Sequence, residues 1–370
     1  MTNKELLQKI DLVVDRLMNL GGADYSLDKD VKETDKSRGL IARDFGIEEW
    51  DWPQGVGLYG LSKLQSYYQD SRYLSFFEHW FARNMETGLP SKNINTTAPF
   101  LALLANLDAL NRPEYGALCK ERAQWLMDEL PKTEEGGFQH VTSAIGDRNG
   151  VILNESEIWV DTLFMAVLFL SQAGRRFDRQ DWVEESIHQM LLHIKYLYDP
   201  KSGLLYHGWN FKNRDHFGGI FWGRGNSWFT YGVIDYIDSF QGTMPQGLHR
   251  YLTDTYRSQV NALVALQAES GLWHTVLDDP DSYEEVSGSA AIAAGILKGV
   301  KSQILSPDFL APAHKAIEGI CRYIDADGTV LGVSAGTGIG MDAEHYKNVA
   351  VKPMAYGQSL TLLALIEALE

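Results

Sequence analysis

Residues 154–170 read NESEIWVDTLFMAVLFL, and the apolar part of this run holds a single acid, Asp161. Asn154 followed three residues later by Glu157 is typical of a capping box, so the pattern predicts a helix that begins at Asn154. Because nearly every face of this helix is apolar and the run is too short to cross a bilayer, we expect a buried helix of a globular protein. Asp161 would then lie in its second turn.

A carboxyl group in such a place has two interpretations. Buried polar groups are usually hydrogen-bonded to neighbours, so Asp161 could be purely structural. Alternatively, burial and the nearby Glu157 could raise the pKa of Asp161 and keep it protonated as a general acid.

Apolar and amphipathic helices alternate along the rest of the chain. Segments 99–110, 158–170 and 290–300 are apolar on most faces, whereas segments 2–17 and 113–130 each have one apolar face. A polar loop is predicted from about residue 24 to 46.

Turns in which glycine precedes an apolar residue separate these helices at intervals of roughly 50 to 70 residues, which is typical of a repeat architecture. They include Gly88-Leu89-Pro90, Gly137-Phe138-Gln139-His140, Gly203-Leu204-Leu205-Tyr206-His207 and Gly271-Leu272-Trp273-His274. The repeat predicts an all-α fold, an (α/α)6 barrel of inner and outer helices whose loops form the site at one end. Since no linker-like tract interrupts it, we expect a single catalytic domain over residues 1–370.

Composition excludes several classes of function. The chain has 370 residues, a net charge of −16, 11% aromatic residues and ten tryptophans. Such an acidic chain is not expected to bind nucleic acid or an anionic membrane, while flat aromatic rings suit sugars. The first residues predict a charged amphipathic helix and no signal peptide, so we expect a cytoplasmic protein.

A second concentrated signal is the octapeptide FWGRGNSW over residues 221–228. Arg224 stands between two glycines, and Trp222 and Trp228 bracket it. A guanidinium group matches the two oxygens of a carboxylate, so Arg224 is a candidate ligand for an anionic sugar. The alternative is a capped helix start with a structural arginine.

His140 and His207 each follow one of the recurring glycine turns, and the repeat places both at the same end of the barrel. The alternative is that they are ordinary surface residues. No zinc-binding, Walker or dinucleotide-binding motif occurs, so we predict no metal site and no cofactor. The glycine-rich segment 332–340 is interpreted as a flexible rim loop.

Three of these segments, Trp159–Ala166, Gly203–His207 and Trp222–Trp228, together resemble the unsaturated rhamnogalacturonyl/glucuronyl hydrolases of glycoside hydrolase family 105, relatives of family 88. Gly136–His140 and Ser287–Ser289 match the same family in the same order. The resemblance implies a small oligosaccharide substrate with a 4,5-unsaturated uronic acid at its non-reducing end, most simply of pectin or rhamnogalacturonan type.

In that family an aspartic acid protonates the C4=C5 double bond, water adds at C5, and the resulting hemiketal rearranges and releases the sugar. The resemblance implies that Asp161 is the proton donor and that Arg224 binds the uronate carboxylate. It also implies that His140 and His207 hold hydroxyl groups or the carboxylate.

The resemblance further implies that Trp52, Trp222 and Trp228 stack on the sugar. One position departs from the family pattern, because Asn95 stands where many relatives have an aspartate. An asparagine can orient a hydroxyl group but cannot carry a charge or take up a proton. The choice of substrate could therefore differ from that of those relatives.

Two other classes of function remain open at the level of the sequence. A sugar epimerase or isomerase on the same barrel would use His140 and His207 as acid and base, since fold alone does not fix function. A noncatalytic carbohydrate sensor would explain the tryptophans and Arg224 but would leave Asp161 without a task.

Overall fold

The computed structural model describes residues 1–21, 46–144 and 147–369. Nearly all of the polar loop predicted from about residue 24 to 46 lies outside these ranges. In chain order, the helices of the described residues are α1 (Asn3–Met18), α2 (Trp52–Tyr68), α3 (Ser71–Thr87), α4 (Pro99–Ala105), α5 (Leu107–Leu110), α6 (Pro113–Asp128), α7 (Leu168–Arg176), α8 (Gln180–Leu197), α9 (Gly223–Ser239), α10 (Gln246–Ala265), α11 (Val286–Lys301), α12 (Leu310–Cys321), α13 (Ala343–Lys347) and α14 (Ala355–Glu367). Short 3₁₀ turns span Asn95–Thr97 and Pro307–Phe309, and a π-helical turn, Leu163–Val167, leads into α7.

Six helices with few exposed residues form the inner ring: α2, α4, α7, α9, α11 and α14. Each contacts the next, and α14 packs against α2 to close the ring. The approach of α9 and α11 is so close that a Cβ atom on Gly295 would lie 2.6 Å from the carbonyl oxygen of Thr230, which explains the glycine. The helices α1, α3, α6, α8, α10 and α12 form the outer layer, so the predicted all-α (α/α)6 barrel is confirmed.

The amphipathic helix α1 begins as the sequence predicts. Thr2 and Glu5 form a complete capping box, and Leu6, Ile10 and Val13 are among its buried residues. Because α1 packs against α14, the first helix of the chain supplies the outer partner of the last inner helix.

Three antiparallel two-stranded ribbons lie between the helices: β1 (Val141–Ser143) with β2 (Val151–Leu153), β3 (Glu157–Trp159) with β4 (Gly208–Asn210), and β5 (Trp273–His274) with β6 (Glu284–Glu285). The prediction of a helix that begins at Asn154 is wrong. Ile158 instead pairs with Trp209 in the second ribbon, and the side chain of Asn154 donates to the carbonyl of His140. Pairing with a strand far along the chain has replaced the local cap. The helix begins at about Asp161, so this residue lies in the first turn.

The amino-terminal ends of several inner helices meet at one end of the barrel. Trp52 at the start of α2 stacks on Tyr356 at the start of α14, with ring centroids 4.6 Å apart, and faces Trp228 of α9 at 6.4 Å. Helix amino termini carry partial positive charge and favour anions nearby. Among the described helices, none combines the length and apolar character that a membrane crossing requires.

Candidate active site

Asp161 lies where these helix ends converge, with 16% of its side chain exposed. Its Oδ1 atom accepts a hydrogen bond of 3.1 Å from Nε1 of Trp228, and its Oδ2 atom lies 3.2 Å from Nε2 of His207. Oδ2 and Nε2 are both buried, are not aligned as a formed hydrogen bond, and have no other hydrogen-bond partner within the described residues. Two polar atoms in this state are available to each other and to a ligand.

The two histidines predicted for the site do lie together. His207 is buried and its Nδ1 atom lies 2.8 Å from the hydroxyl of Tyr346. His140 is also buried, and its Nδ1 atom is 2.9 Å from Oγ1 of Thr162. The ring of Trp159 links the two histidines, because it stacks on His140 at 4.2 Å and meets His207 edge-on at 5.5 Å.

The predicted rise in the pKa of Asp161 is wrong for the free site. Burial alone would raise this pKa, but the contact with His207 and the electrostatic influence of His207, His140 and Arg224 outweigh burial, so the pKa is lowered from its ordinary value. Burial lowers the pKa of His140 to about 3 despite the nearby Asp161, so His140 is neutral at physiological pH. In the free protein Asp161 is therefore an ionised carboxylate beside a neutral histidine, His140.

Glu157 was expected to act on Asp161, and the structure gives it another contact. Its carboxylate accepts hydrogen bonds from Nε1 of Trp159, at 2.9 Å, and from the side-chain amide of Asn210, at 3.3 Å. Since Trp159 packs against both site histidines, Glu157 holds the ring that orients them.

Arg224 is almost completely buried. Both of its Nη atoms already have partners, whereas its Nε atom is buried without a hydrogen-bond partner among the described residues. Its Nη1 atom donates to the carbonyl of Ser334 at 2.9 Å, and Nη2 donates to the carbonyl of Ala335 at 2.7 Å. The guanidinium carbon lies 4.6 Å from the ring centre of Trp222, and Nη1 is 3.8 Å from the carboxylate of Glu285. Arg224 thus anchors the segment at residues 334–335, and its role toward a substrate carboxylate stays a prediction.

The three tryptophans predicted to stack on sugar differ in exposure. Trp222 is 2% exposed and packs against His207 at 4.4 Å, while Trp228 is 1% exposed and holds Asp161. Trp52 is partly exposed. Of the three, Trp52 is therefore best placed to offer a ring face to a ligand, and Trp228 acts as a hydrogen-bond donor to the acid.

Asn95, the predicted departure from the family pattern, is partly exposed in the 3₁₀ turn Asn95–Thr97. This turn packs against the π-helical turn that follows Asp161. Within the described ranges its side chain has no hydrogen-bond partner, so its amide is available to a ligand.

The glycine-rich segment predicted as a rim loop lies at the site and packs against it. A Cβ atom on Gly336 would lie 3.0 Å from the ring of Trp52, and one on Gly338 would lie 3.6 Å from Trp159. The backbone N–H of Gly340 donates to the hydroxyl of Tyr346 at 3.0 Å. The glycine-rich segment therefore contacts Trp52 and Trp159 and also hydrogen-bonds to Tyr346, the partner of His207.

Sequence reasoning missed several residues of the site. Glu285 caps α11 through the backbone of Ser287 and Gly288 and also accepts from the backbone N–H of Ser334. The position of Glu285 just before a Ser-Gly-Ser helix start could have indicated a capping role from the sequence. Tyr346 gave none, because it is a single tyrosine in a polar stretch and its partner lies 139 residues away.

No group of three or more His, Cys, Asp or Glu side chains in the part of the chain that the structure describes could hold a metal ion. The polar groups around Asp161 are instead an indole, imidazoles and a guanidinium. Such a set can hold an anionic, hydroxylated ligand and move a proton at the carboxylate.

Several known glycoside hydrolases are similar to this chain. The family model described as Glycosyl Hydrolase Family 88 matches residues 31–370. The chain is 34% identical over 333 residues to an unsaturated rhamnogalacturonyl hydrolase, YesR, of Bacillus subtilis, covering 90% of this chain and 93% of that protein. It is 28% identical over 301 residues to an unsaturated 3S-rhamnoglycuronyl hydrolase of Formosa agariphila, covering 77% of each.

Among solved structures, a possible member of the GH105 family from Salmonella enterica superposes with a TM-score of 0.90 at 36% identity. That match covers 100% of this chain and 94% of the other. The resemblance seen in the sequence motifs is confirmed by these matches. The chain belongs to Glycosyl Hydrolase Family 88 and is a glycoside hydrolase.

Proposed function

We propose that this enzyme releases a 4,5-unsaturated uronic acid from the non-reducing end of lyase-generated oligosaccharides, with Asp161 as the catalytic acid. The observation that carries the proposal is the environment of the Asp161 carboxylate. One oxygen is held by Trp228, and the other faces His207 without an aligned hydrogen bond. The relatives named above as unsaturated rhamnogalacturonyl and rhamnoglycuronyl hydrolases support this class of substrate.

Asp161 must take up the proton that it donates when the substrate binds, because the pKa of Asp161 is lowered in the free site. The uronate brings a second negative charge next to Asp161, and it excludes water. Both effects raise the pKa of a carboxyl group. We therefore expect the basic limb of the kcat profile, which reports the complex, to lie above the pKa of Asp161 in the free enzyme.

The reaction adds the elements of water across the double bond. Asp161 gives its proton to C4, and a water oxygen bonds to C5 while the Asp161 carboxylate accepts the proton that this water loses. The product is a hemiketal at C5. The ring C5–O bond then breaks to give a ketone at C5, and the anomeric hemiacetal left at C1 releases the next sugar.

The other predicted site residues have supporting roles in this proposal. Arg224 provides buried positive charge near the acid, and His140 is a neutral hydrogen-bonding group. Trp52 supplies a ring face for the sugar, and the Asn95 amide binds a hydroxyl group. The epimerase alternative needs His140 as a proton carrier, and its pKa of about 3 makes it a poor one near neutral pH.

The test is a panel of unsaturated disaccharides made by pectin, glycosaminoglycan and ulvan-type lyases, each followed by loss of the ultraviolet absorbance of the C4=C5 bond. We expect turnover, with the rhamnogalacturonan-type disaccharide as the best substrate. Turnover of another disaccharide in preference would overturn the pectin assignment alone. If folded protein leaves the absorbance of every disaccharide in the panel unchanged, the proposed function is overturned.

A further inference from the structure

Tyr346 of the short helix α13 is completely buried, and its hydroxyl group meets two nitrogen atoms. The backbone N–H of Gly340 donates to this hydroxyl at 3.0 Å. The second contact is Nδ1 of His207, at 2.8 Å. Because a backbone N–H can only donate, the direction of the first hydrogen bond is fixed.

The direction of the second hydrogen bond follows from the first. Within the described residues, the Tyr346 hydroxyl hydrogen has one acceptor in reach, Nδ1 of His207. Were Nδ1 to carry a proton, that hydroxyl hydrogen would be buried without an acceptor, which is costly. The hydroxyl therefore donates to Nδ1, and Nδ1 is the unprotonated nitrogen of the ring.

We propose that Tyr346 is a positioning residue that fixes His207 as a neutral imidazole with its proton on Nε2, the ring nitrogen that lies 3.2 Å from the Asp161 carboxylate. The donors then run from Gly340 to Tyr346 and from Tyr346 to His207, which leaves the Nε2–H of His207 beside the Asp161 carboxylate. Nε2 of His207 and Oδ2 of Asp161 lie 3.2 Å apart at the end of this series, both buried and neither with an aligned hydrogen bond.

This inference deepens the proposed function, and its catalytic consequence rests on it. A neutral His207 with its hydrogen on Nε2 can hold the carboxylate in place without removing its ability to take up a proton. An imidazolium would form a full ion pair and keep Asp161 ionised. The glycine-rich segment takes part through Gly340, whose N–H sets the direction of the hydrogen bond between Tyr346 and His207.

The first test uses the unaltered enzyme with ¹⁵N-labelled histidine. Ring ¹⁵N shifts distinguish a protonated from an unprotonated nitrogen, and the His207 signals are assigned by their loss in a His207→Asn variant. We expect Nε2 protonated and Nδ1 unprotonated at neutral pH. A proton on Nδ1, in either the neutral or the charged ring, would overturn the proposal, and this readout needs neither turnover nor a Tyr346 variant.

The second test compares Tyr346→Phe with Tyr256→Phe. The Tyr256 hydroxyl is also buried and donates to the carbonyl of Gly295 at 2.7 Å, so the control loses a comparable hydrogen bond away from Asp161. For Tyr346→Phe we expect kcat to fall by about 10- to 100-fold with little change in KM, and the His207 spectrum to show mixed tautomers. Tyr256→Phe should keep the kcat and the His207 spectrum of the wild type.

Equal kcat in the two variants, with an unchanged His207 tautomer, would show that Tyr346 only fills space. The proposed function can fail separately. An enzyme that turns over no unsaturated disaccharide but shows the expected His207 tautomer would refute the substrate class and leave the hydrogen-bond chain intact.

Discussion

Two aspartates with little or no solvent exposure stand on inner helices at opposite ends of this barrel. Asp161 begins the helix that leads into α7, at the site. Asp235 lies on α9, eleven residues after Arg224, a separation of about 16 Å along a helix. Its carboxylate accepts hydrogen bonds from Tyr59 and Lys298, and Nζ of Lys63 is 3.0 Å away.

The comparison shows that burial alone does not make an acid reactive. The pKa is lowered at both aspartates, although burial acts against this in each case. At Asp235 the opposing cause is the positive charge of Lys63 and Lys298, with hydrogen bonds to both oxygens. At Asp161 an indole and an imidazole face the carboxylate, and one oxygen has no aligned hydrogen bond. The lysines around Asp235 keep its carboxylate ionised, whereas the indole and imidazole around Asp161 still allow its carboxylate to take up a proton.

The largest expected effect is that of Asp161→Asn on activity. The amide keeps the shape but cannot transfer a proton, so we expect kcat on an unsaturated disaccharide to fall by about 10²- to 10⁴-fold. The measurement is the rate of absorbance loss at equal concentrations of folded protein. Retention of more than a tenth of the wild-type rate would remove Asp161 from the mechanism.

Asp235→Asn should lower the stability of the protein and leave its activity nearly unchanged. Removing one partner of a buried ion pair leaves buried charge uncompensated, so we expect the free energy of unfolding to fall by about 3–5 kcal/mol. Urea unfolding measures it, and the activity per folded molecule should stay near that of the wild type. The contrast between the two aspartates would be broken if this variant were as stable as the wild type and inactive.

Lowering the pH should reduce the difference in unfolding free energy between the wild type and Asp235→Asn. A lowered folded-state pKa means that the ionised carboxylate contributes stability above the unfolded value, near 3.8, and that this contribution is lost as the pH falls below it. We expect the gap in unfolding free energy to narrow by up to about 1.4 kcal/mol per pH unit below that value. Urea unfolding at pH 7, 5, 4 and 3 measures the gap, and a constant gap would show that Asp235 is not held as an ion.

The smallest expected effect on stability is that of Asn95→Asp, which adds a carboxylate near the Asp161 end. Because Asn95 is partly exposed, we expect unfolding free energy to change by no more than about 0.5 kcal/mol. The relative kcat/KM values across the disaccharide panel should shift by roughly tenfold, since the new charge alters hydroxyl and carboxylate recognition. An unchanged ranking would show that this position does not contact the substrate.

The barrel could be predicted because its signal is repeated and local. Apolar helices such as α11 and amphipathic helices such as α1 alternate, and each needs a partner to bury its apolar face. The start of the Asp161 helix was predicted wrongly because the strand Glu157–Trp159 depends on Gly208–Asn210, about fifty residues away. A local cap pattern cannot report such a pairing.

Residues of the candidate site could be identified from the sequence only where they came in clusters. Asp161, Arg224 and the two histidines stood in recognisable segments, and the structure brings them together. Tyr346 acquires its role only from the fold, through Gly340 and His207. Asp235 is different, because an acid among apolar neighbours in α9 is the same kind of signal that drew attention to Asp161. Distinguishing the two required the positions of the lysines.

A thioglycoside substrate distinguishes hydration of the double bond at Asp161, before the sugar leaves, from direct hydrolysis of the glycosidic bond. Direct glycosidic hydrolysis depends on protonating the leaving atom, and sulfur is a poor base, whereas hydration at C4 and C5 does not involve that atom. We therefore expect the unsaturated phenyl thioglycoside and its oxygen analogue to lose absorbance at comparable rates with the wild type, and neither to react with Asp161→Asn. An inert thioglycoside beside a rapidly cleaved oxygen glycoside would contradict the account.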